Sequence, residues 1–375
     1  MQLFSRLDRD AGAAENVFYS PMSVEQAFGL IHAGSAGETR VQLESFFGWP
    51  EGIETERLLE RQREDLLGHR TDADIRLANA LWLSDSFNFR DSYVSDTAKY
   101  YDATARTLDF SAAGAPASAD IINGWASEQT EGLIPEVITP DALTDMTAAV
   151  LTNALYFEAE WKAPFDSSQM QPFLFGDGRE EEFRLMRETD NFALVEHGEW
   201  RAVRLPYRGD RFAMDVIMPE RRRVMEVAPS LAEIADLSAS LGAADAQLVT
   251  VSLPRFEVDL SAGLVDPLRS LGLDLPFDRN RADLSAMAEP GQQRIYVGDA
   301  RQLTRLQVYE EGTKAAAVTV VRIVLTGGRA MAEEPEVFTV DRPFIAVIRD
   351  LETNEILFIG RIAEPVPFEP QRSGE

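Results

Sequence analysis

The chain is 375 residues long with a mass of 41.7 kDa, and 45% of it is hydrophobic, enough to bury a sizeable core. Its 36 basic against 63 acidic side chains leave a net charge of −27, which argues against nucleic acid or an anionic membrane as partner. It has no cysteine, which excludes disulfides, thiolate catalysis and cysteine-held metals, and only His32, His69 and His197 could supply imidazole, so neither metal nor cofactor is expected.

The N-terminal stretch MQLFSRLDRDAGAAENVF lacks a basic start followed by an apolar run, so no secretory signal is expected, and the compartment stays open. Apolar residues recur with helical spacing in Met22–Ala33, after the cap-like pair Ser20-Pro21. Glu54–Leu67 carries charge on three sides of a leucine stripe and reads as a surface helix; Ala119–Gln129 is a further helix. Between these, Ser111 to Ala119 (SAAGAPASA) reads as a flexible loop.

Strands intrude from Arg76 onward. Ile75–Leu83, Met146–Phe157, Phe212–Met218, Gln247–Leu253, Ile295–Val297, Val337–Val340 and Phe344–Arg349 are β-branched or apolar runs bounded by turn residues. The longest of them, Met146–Phe157, is interrupted by polar residues and too short to span a bilayer. Helices early and strands late predict an α+β fold around a large mixed sheet. With no repeat and no long linker, residues 1–375 read as one intertwined domain.

Catalytic motifs do not emerge. Gly34-Ser35-Ala36-Gly37 misses the G-x-S-x-G elbow, and Gly34 reads more simply as the end of the preceding helix. Asp278 to Asp283 lacks the glycine and terminal glutamate of a calcium loop and reads as a turn. Glu310 and Glu311 are adjacent, so on a strand they point to opposite faces and make a poor acid–base couple.

One segment is physically unusual: Thr313 to Leu325, TKAAAVTVVRIVL. Read with period two, one face is Thr313, Ala315, Ala317, Thr319, Val321, Ile323 and Leu325, and the other carries both charges, Lys314 and Arg322. The uncharged face begins small and ends large. Two readings fit: a long hairpin arm turning at Thr326-Gly327-Gly328, or a strand able to sit outside or inside a sheet.

Motifs spread along the chain resemble those of the serpin family. Asn16-Val17-Phe18-Tyr19-Ser20-Pro21-Met22-Ser23 resembles its N-[IV]-F-x-S-P-x-S motif, and His32 to Thr39 its following turn. Leu77-Ala78-Asn79-Ala80-Leu81-Trp82 is similar to its ANALF strand, and Leu151 to Phe157, with Trp161 and Pro164-Phe165, to its central-sheet strand and gate. Leu253-Pro254-Arg255-Phe256, Glu310 to Ala317, Asp341-Arg342-Pro343-Phe344 and Phe358 to Ile362 complete the series in family order. The absence of cysteine is most similar to bacterial members of thermophilic type.

The resemblance implies a serpin fold of three β-sheets and about nine helices, with an exposed reactive loop over about 310–336. It implies no enzyme but a monomeric inhibitor that acts as a suicide substrate for an elastase-, subtilisin- or chymotrypsin-like serine protease. The cut loop inserts as an extra strand of the central sheet and traps the acyl-enzyme. The alternative is a non-inhibitory serpin, a chaperone or binding protein that is cleaved without trapping.

The hinge is Glu310, Glu311, Gly312, Thr313, Lys314, Ala315, Ala316 and Ala317, with Gly312 expected to make a tight bend and Lys314 to face outward. Small residues there favour inhibition. Counting along the loop places the reactive bond at Thr326-Gly327, or at Leu325-Thr326 with a slip of one. At the top of the sheet, the breach, Glu310 is expected to pair with Arg255 near Trp161. At its centre, the shutter, Ser20, Ser23 and Asn153 are expected to share a buried network, with Gln302 where the family usually has histidine. The tail, 365–375, is expected to dock near the top of the sheet and add thermal stability. No polyanion cofactor is expected, because Arg57, Arg61 and Arg63 are interleaved with acids.

Overall fold

The computed structural model describes residues 2–68, 71–290, 294–313 and 334–367. The N-terminal third holds α1 (Gln2–Ala11), β1 (Val17–Tyr19), α2 (Pro21–Ala33), α3 (Gly37–Phe47), α4 (Ile53–Leu67), β2 (Asp74–Ser84), α5 (Asp91–Tyr101) and β3 (Ala103–Leu108). Next come α6 (Ala115–Gln129), β4 (Ala149–Glu160), β5 (Ser167–Leu174), β6 (Glu180–His197), β7 (Trp200–Pro206), β8 (Phe212–Pro219) and α7 (Leu231–Ala243). The remainder is β9 (Gln247–Pro254), β10 (Phe256–Gly263), α8 (Val265–Ser270), β11 (Arg301–Val308), β12 (Gly312–Thr313), β13 (Glu336–Thr339), β14 (Phe344–Asp350) and β15 (Ile356–Ile362).

Local chemistry sets the helix starts. Ser20 caps α2 by accepting the Ser23 N–H at 3.1 Å, and Pro21 occupies the first turn, where its missing N–H is not needed. Ser230 and Glu233 close a reciprocal capping box on α7. Pro116 likewise opens α6, and the Ser118 hydroxyl donates to the Asp109 carbonyl at 2.7 Å, so the stretch expected to be a loop is helical from Ala115.

Two hydrogen-bonded sheets result. The six-stranded central sheet has the order β10-β11-β12-β4-β2-β3. The nine-stranded one runs β1-β15-β14-β8-β7-β6-β9-β13, with β5 also on β6. Its two arms meet on one long strand: residues 185–192 of β6 pair with β9, while 193–197 pair with β7. Those arms and the central sheet are the three sheets expected. Eight α-helices are present among the described residues, against about nine expected. Val17–Tyr19 pairs with 359–361, which fastens the start of the chain to its last strand.

The core follows burial on both faces of the middle strands: every residue of β8 and β14 is buried. Two expectations shift. The strand read at Met146–Phe157 begins at Ala149, because Thr144 and Thr147 close a turn instead. Ile295–Val297 is not a strand; both side chains pack, half-buried, on the helical core without a ladder, and β11 starts at Arg301.

Candidate functional site

At the end of β11 the chain reverses in a tight turn, with the Tyr309 N–H donating to the Gly312 carbonyl at 3.0 Å and the Gly312 N–H to the Tyr309 carbonyl at 3.2 Å. β12 then enters between β11 and β4, with Thr313 opposite both Val308 and Ala159, and Gly312 opposite Glu160. Glycine is required here by closeness. A Cβ on Gly312 would lie 2.2 Å from the Ala159 carbonyl oxygen, and its φ is outside the left-handed region, so the expected bend is not the reason for it.

The gate grips this hinge through its backbone. The Trp161 N–H donates to the Glu311 carbonyl at 2.9 Å, its indole N–H to the Tyr309 carbonyl at 3.0 Å, and the Phe165 N–H to the Glu310 carbonyl at 2.9 Å. Trp161 stacks on Tyr207 at 4.4 Å between ring centroids. The Tyr207 hydroxyl meets Thr313 Oγ1 at 2.7 Å, and burial pushes that phenol far above its ordinary range, so it stays protonated. Thr313 is thus fully buried, on the face the period-two pattern assigned to the core.

Arg255 donates from its guanidinium to the Glu310 carboxylate, with both side chains largely buried. The structure therefore brings Trp161, Arg255, Glu310, Glu311, Gly312 and Thr313 together. Sequence reasoning missed Tyr207, Tyr309 and the Ala159 carbonyl. Tyr207 is remote from the hinge along the chain and carries no local signal of its role; the bridge between Trp161 and Tyr207 is what brings it to the site.

Below the hinge, the described residues of the sheet form two separate pairs of strands. β4 is in full register with β2, from Asp74 opposite Glu158 to Leu83 opposite Ala149. β11 is in full register with β10. Among the described residues β4 and β11 share no register with one another, and β12 is the only strand that links them.

The polar residues at the sheet centre fall into two groups. Gln302 clasps the Ser20 backbone with its amide, accepting the N–H and donating to the carbonyl, each at 3.0 Å, while the Ser20 hydroxyl caps Ser23. Asn153 instead donates to Asn79 Oδ1 at 2.8 Å, and Asn79 donates to the Tyr101 carbonyl at 2.8 Å. The single network expected of Ser20, Ser23, Asn153 and Gln302 is therefore not formed, because Asn153 sits across the register from Asn79. Its Oδ1 is buried with no hydrogen-bond partner among the described residues.

Lys314, Ala315, Ala316, Ala317, Leu325, Thr326 and Gly327 lie outside the described residues, as does the tail from 368 onward. The start of the tail meets the edge of the central sheet: Val366 bridges Glu257 on β10, whose N–H donates to the Val366 carbonyl at 2.9 Å.

Residues 1–365 match the family model described as "Serpin (serine protease inhibitor)". The human leukocyte elastase inhibitor is 30% identical, with 97% of each chain covered. A serine protease inhibitor of Cyanea capillata is 31% identical over 94% of this chain and 93% of its own, and an uncharacterized serpin-like protein of Methanosarcina acetivorans is 28% identical over 97% and 85%. Among solved structures, native protease nexin-1 with heparin superposes with a TM-score of 0.83 at 23% identity, covering 97% of this chain and 96% of that one. Serpin48 of Tenebrio molitor gives 0.81 at 24% identity, covering 97% and 95%. The chain belongs to the serpin family, whose members are mostly protease inhibitors and not catalytic enzymes.

Proposed function

We propose that this chain is an inhibitory serpin, a monomer that offers the loop after Thr313 to a serine protease and traps the enzyme by inserting the cut loop into its central sheet. The observation that carries this reading is the seat of the hinge: Gly312 and Thr313 already occupy the top of a slot whose walls, β4 and β11, make no pair of their own among the described residues. On this reading the facing edges of β4 and β11 supply the backbone donors and acceptors that pair with the entering strand.

Carried downward in the same register, Ala315, Ala317 and Thr319 would meet only uncharged neighbours on β4 and β11. Lys314 would stand on the solvent face between Glu158 and Gln307, and Thr319 would come between Asn153 and Gln302. Val321, Ile323 and Leu325 follow on the inward face, with gains of about 1.5–3 kcal/mol for each such side chain buried. The native state is then held by a barrier and not by its depth.

The reactive bond on this reading is Thr326-Gly327, or Leu325-Thr326, which suits elastase-, subtilisin- or chymotrypsin-like enzymes. The test is incubation with one protease of each kind followed by denaturing gels. A band at the summed mass that survives denaturant is expected, with release of a fragment beginning at Gly327 or Thr326. Complete cleavage without that band means a serpin that is cut but does not trap.

A further inference from the structure

Arg361 of β15 is fully buried, and its guanidinium meets the end of α1. Its Nε lies 3.1 Å from the carboxylate of Asp8, which is itself buried. Its Nη2 donates to the Gly12 carbonyl and, at 3.3 Å, to the Asp8 carbonyl, while Nη1 donates to the Met225 carbonyl at 3.4 Å. The other oxygen of Asp8 accepts the Ala228 N–H at 3.3 Å. One ion pair therefore joins the first helix, the last strand and the loop before α7. Asn16 holds the end of the same strand. Its Oδ1 accepts the N–H groups of Ala363 and Glu364, each at 2.8 Å, and its Nδ2 donates to the Glu364 carbonyl at 2.7 Å. Next to it β1 enters the ladder, with Val17 opposite Arg361.

These contacts make each end of the chain unfavourable without the other. A guanidinium out of water is tolerated only with its charge paired and its N–H groups bonded. With β15 in place and α1 undocked, Arg361 would keep the Met225 carbonyl but lose a carboxylate and two further carbonyls. With α1 docked and β15 absent, the Asp8 carboxylate and the last carbonyls of the helix, where its dipole concentrates negative charge, would lose their cation. Apolar packing is not selective in this way. Leu3 and Phe4, at the other end of α1, bury in the helical core without a charge that β15 must match.

We propose that Arg361, Asp8 and Asn16 form a clasp that makes the first helix and the last strand a single opening unit, so that neither end of the chain is released while the other stays docked. During synthesis the first helix then has no seat until the last strand has been made. The place of the clasp gives it reach. β1 leads directly into Ser20, whose backbone is held by Gln302 of β11, so the strand fastened by the clasp ends on one wall of the slot. The inference concerns the two ends of the chain and does not rest on protease inhibition.

Amide hydrogen exchange on the intact protein in low urea tests it. In the parent, the amides of α1 are expected to exchange through the same opening as those of the ladder, 17–19 with 359–361. Separate openings for α1 and for the ladder overturn the proposal. In Arg361→Met, which keeps the length of the side chain and removes its donors, the shared opening is expected to split. The amides of α1 should then exchange about tenfold faster than those of the ladder, the equivalent of one or two lost hydrogen bonds. That variant strands a buried carboxylate and can unfold as a whole, so Asp8→Leu combined with Arg361→Met is measured beside it. The apolar pair removes the stranded charge but cannot hold the Gly12 carbonyl, and the same split is expected. A single opening retained in the double variant overturns the proposal, since the coupling then lies in ordinary packing.

Discussion

Gly312 and Ala159 touch backbone to backbone: no side chain fits between the Gly312 Cα and the Ala159 carbonyl oxygen, which a Cβ would approach to 2.2 Å. The obstacle is a strand backbone and cannot swing aside. Gly312→Ala is therefore expected to push β12 out from between β4 and β11, with strain of about 1–3 kcal/mol. Protease trapped as a denaturant-stable complex, set against inhibitor merely cleaved, should fall by about tenfold, since about 1.4 kcal/mol on one branch of a partition has that effect. An unchanged ratio on gels would show that the seated hinge has no part in trapping.

The Arg255–Glu310 pair closes the top of the slot from the β10 side. Both side chains keep some contact with water, so its worth is discounted to about 1 kcal/mol. Arg255→Ala is expected to lower the Tm by about 2 °C and to speed spontaneous loss of inhibitory activity on warming. Calorimetry together with residual activity after incubation checks both. Unaltered values in both would reduce the pair to a surface contact.

Much of this site was legible in the residues because the relevant signals are local. The alternation in Thr313–Leu325 identifies an inward face, and Thr313 is indeed on it. The charges at 255 and 310 are paired as the motifs imply. What could not be read was register. Asn153 meets Asn79 and not Ser20 because β4 lies across from β2 at that level, a relation fixed by two strands far apart in the chain. The reason for Gly312 was hidden in the same way, since the atom it makes room for belongs to β4. Ile295–Val297 failed for the opposite reason: an apolar run shows that a segment is covered, not that a neighbouring strand is there to pair with it.

On the proposed insertion, extending the β12 register by one residue would place Lys314 directly across from Glu158 on the solvent face, as a charge pair. Opposite charges at such positions contribute about 0.2–1 kcal/mol, and like charges oppose pairing by a similar amount. Lys314→Glu is expected to slow insertion a few-fold, and Lys314→Glu combined with Glu158→Lys to restore it. Following insertion by a fluorophore on the loop after cleavage separates these outcomes. Equal rates in all three proteins would mean that the strand enters in another register.

Asn153 Oδ1 is a buried acceptor without a partner among the described residues, and on the proposed insertion the same register would bring Thr319 beside it. Thr319→Val keeps the shape and removes the donor. The cleaved form should lose about 1–2 kcal/mol, the penalty of a buried polar atom left unbonded, while the uncleaved form should be unaffected. Denaturant melts of the two forms side by side provide the measurement, and an equal effect on both would contradict the pairing.

Glu25 on α2 faces Glu355, and Gln62 of α4 donates to Glu355 at 3.0 Å. Burial, reinforced by the Glu355 charge, pushes the Glu25 carboxyl up to about 7. The folded chain therefore holds a proton there that the unfolded chain has already released, so raising the pH through this range favours unfolding. The stability tied to that proton is intact in mild acid and is lost as the pH passes about 7. Glu25→Gln cannot ionise and escapes the loss. It is expected to match the parent near pH 4, below the ordinary titration of glutamate, and to exceed it by about 2 kcal/mol at about pH 8. Urea melts at the two pH values test this, and a variant no more stable than its parent at the higher pH would show that Glu25 is ionised in the fold at no cost.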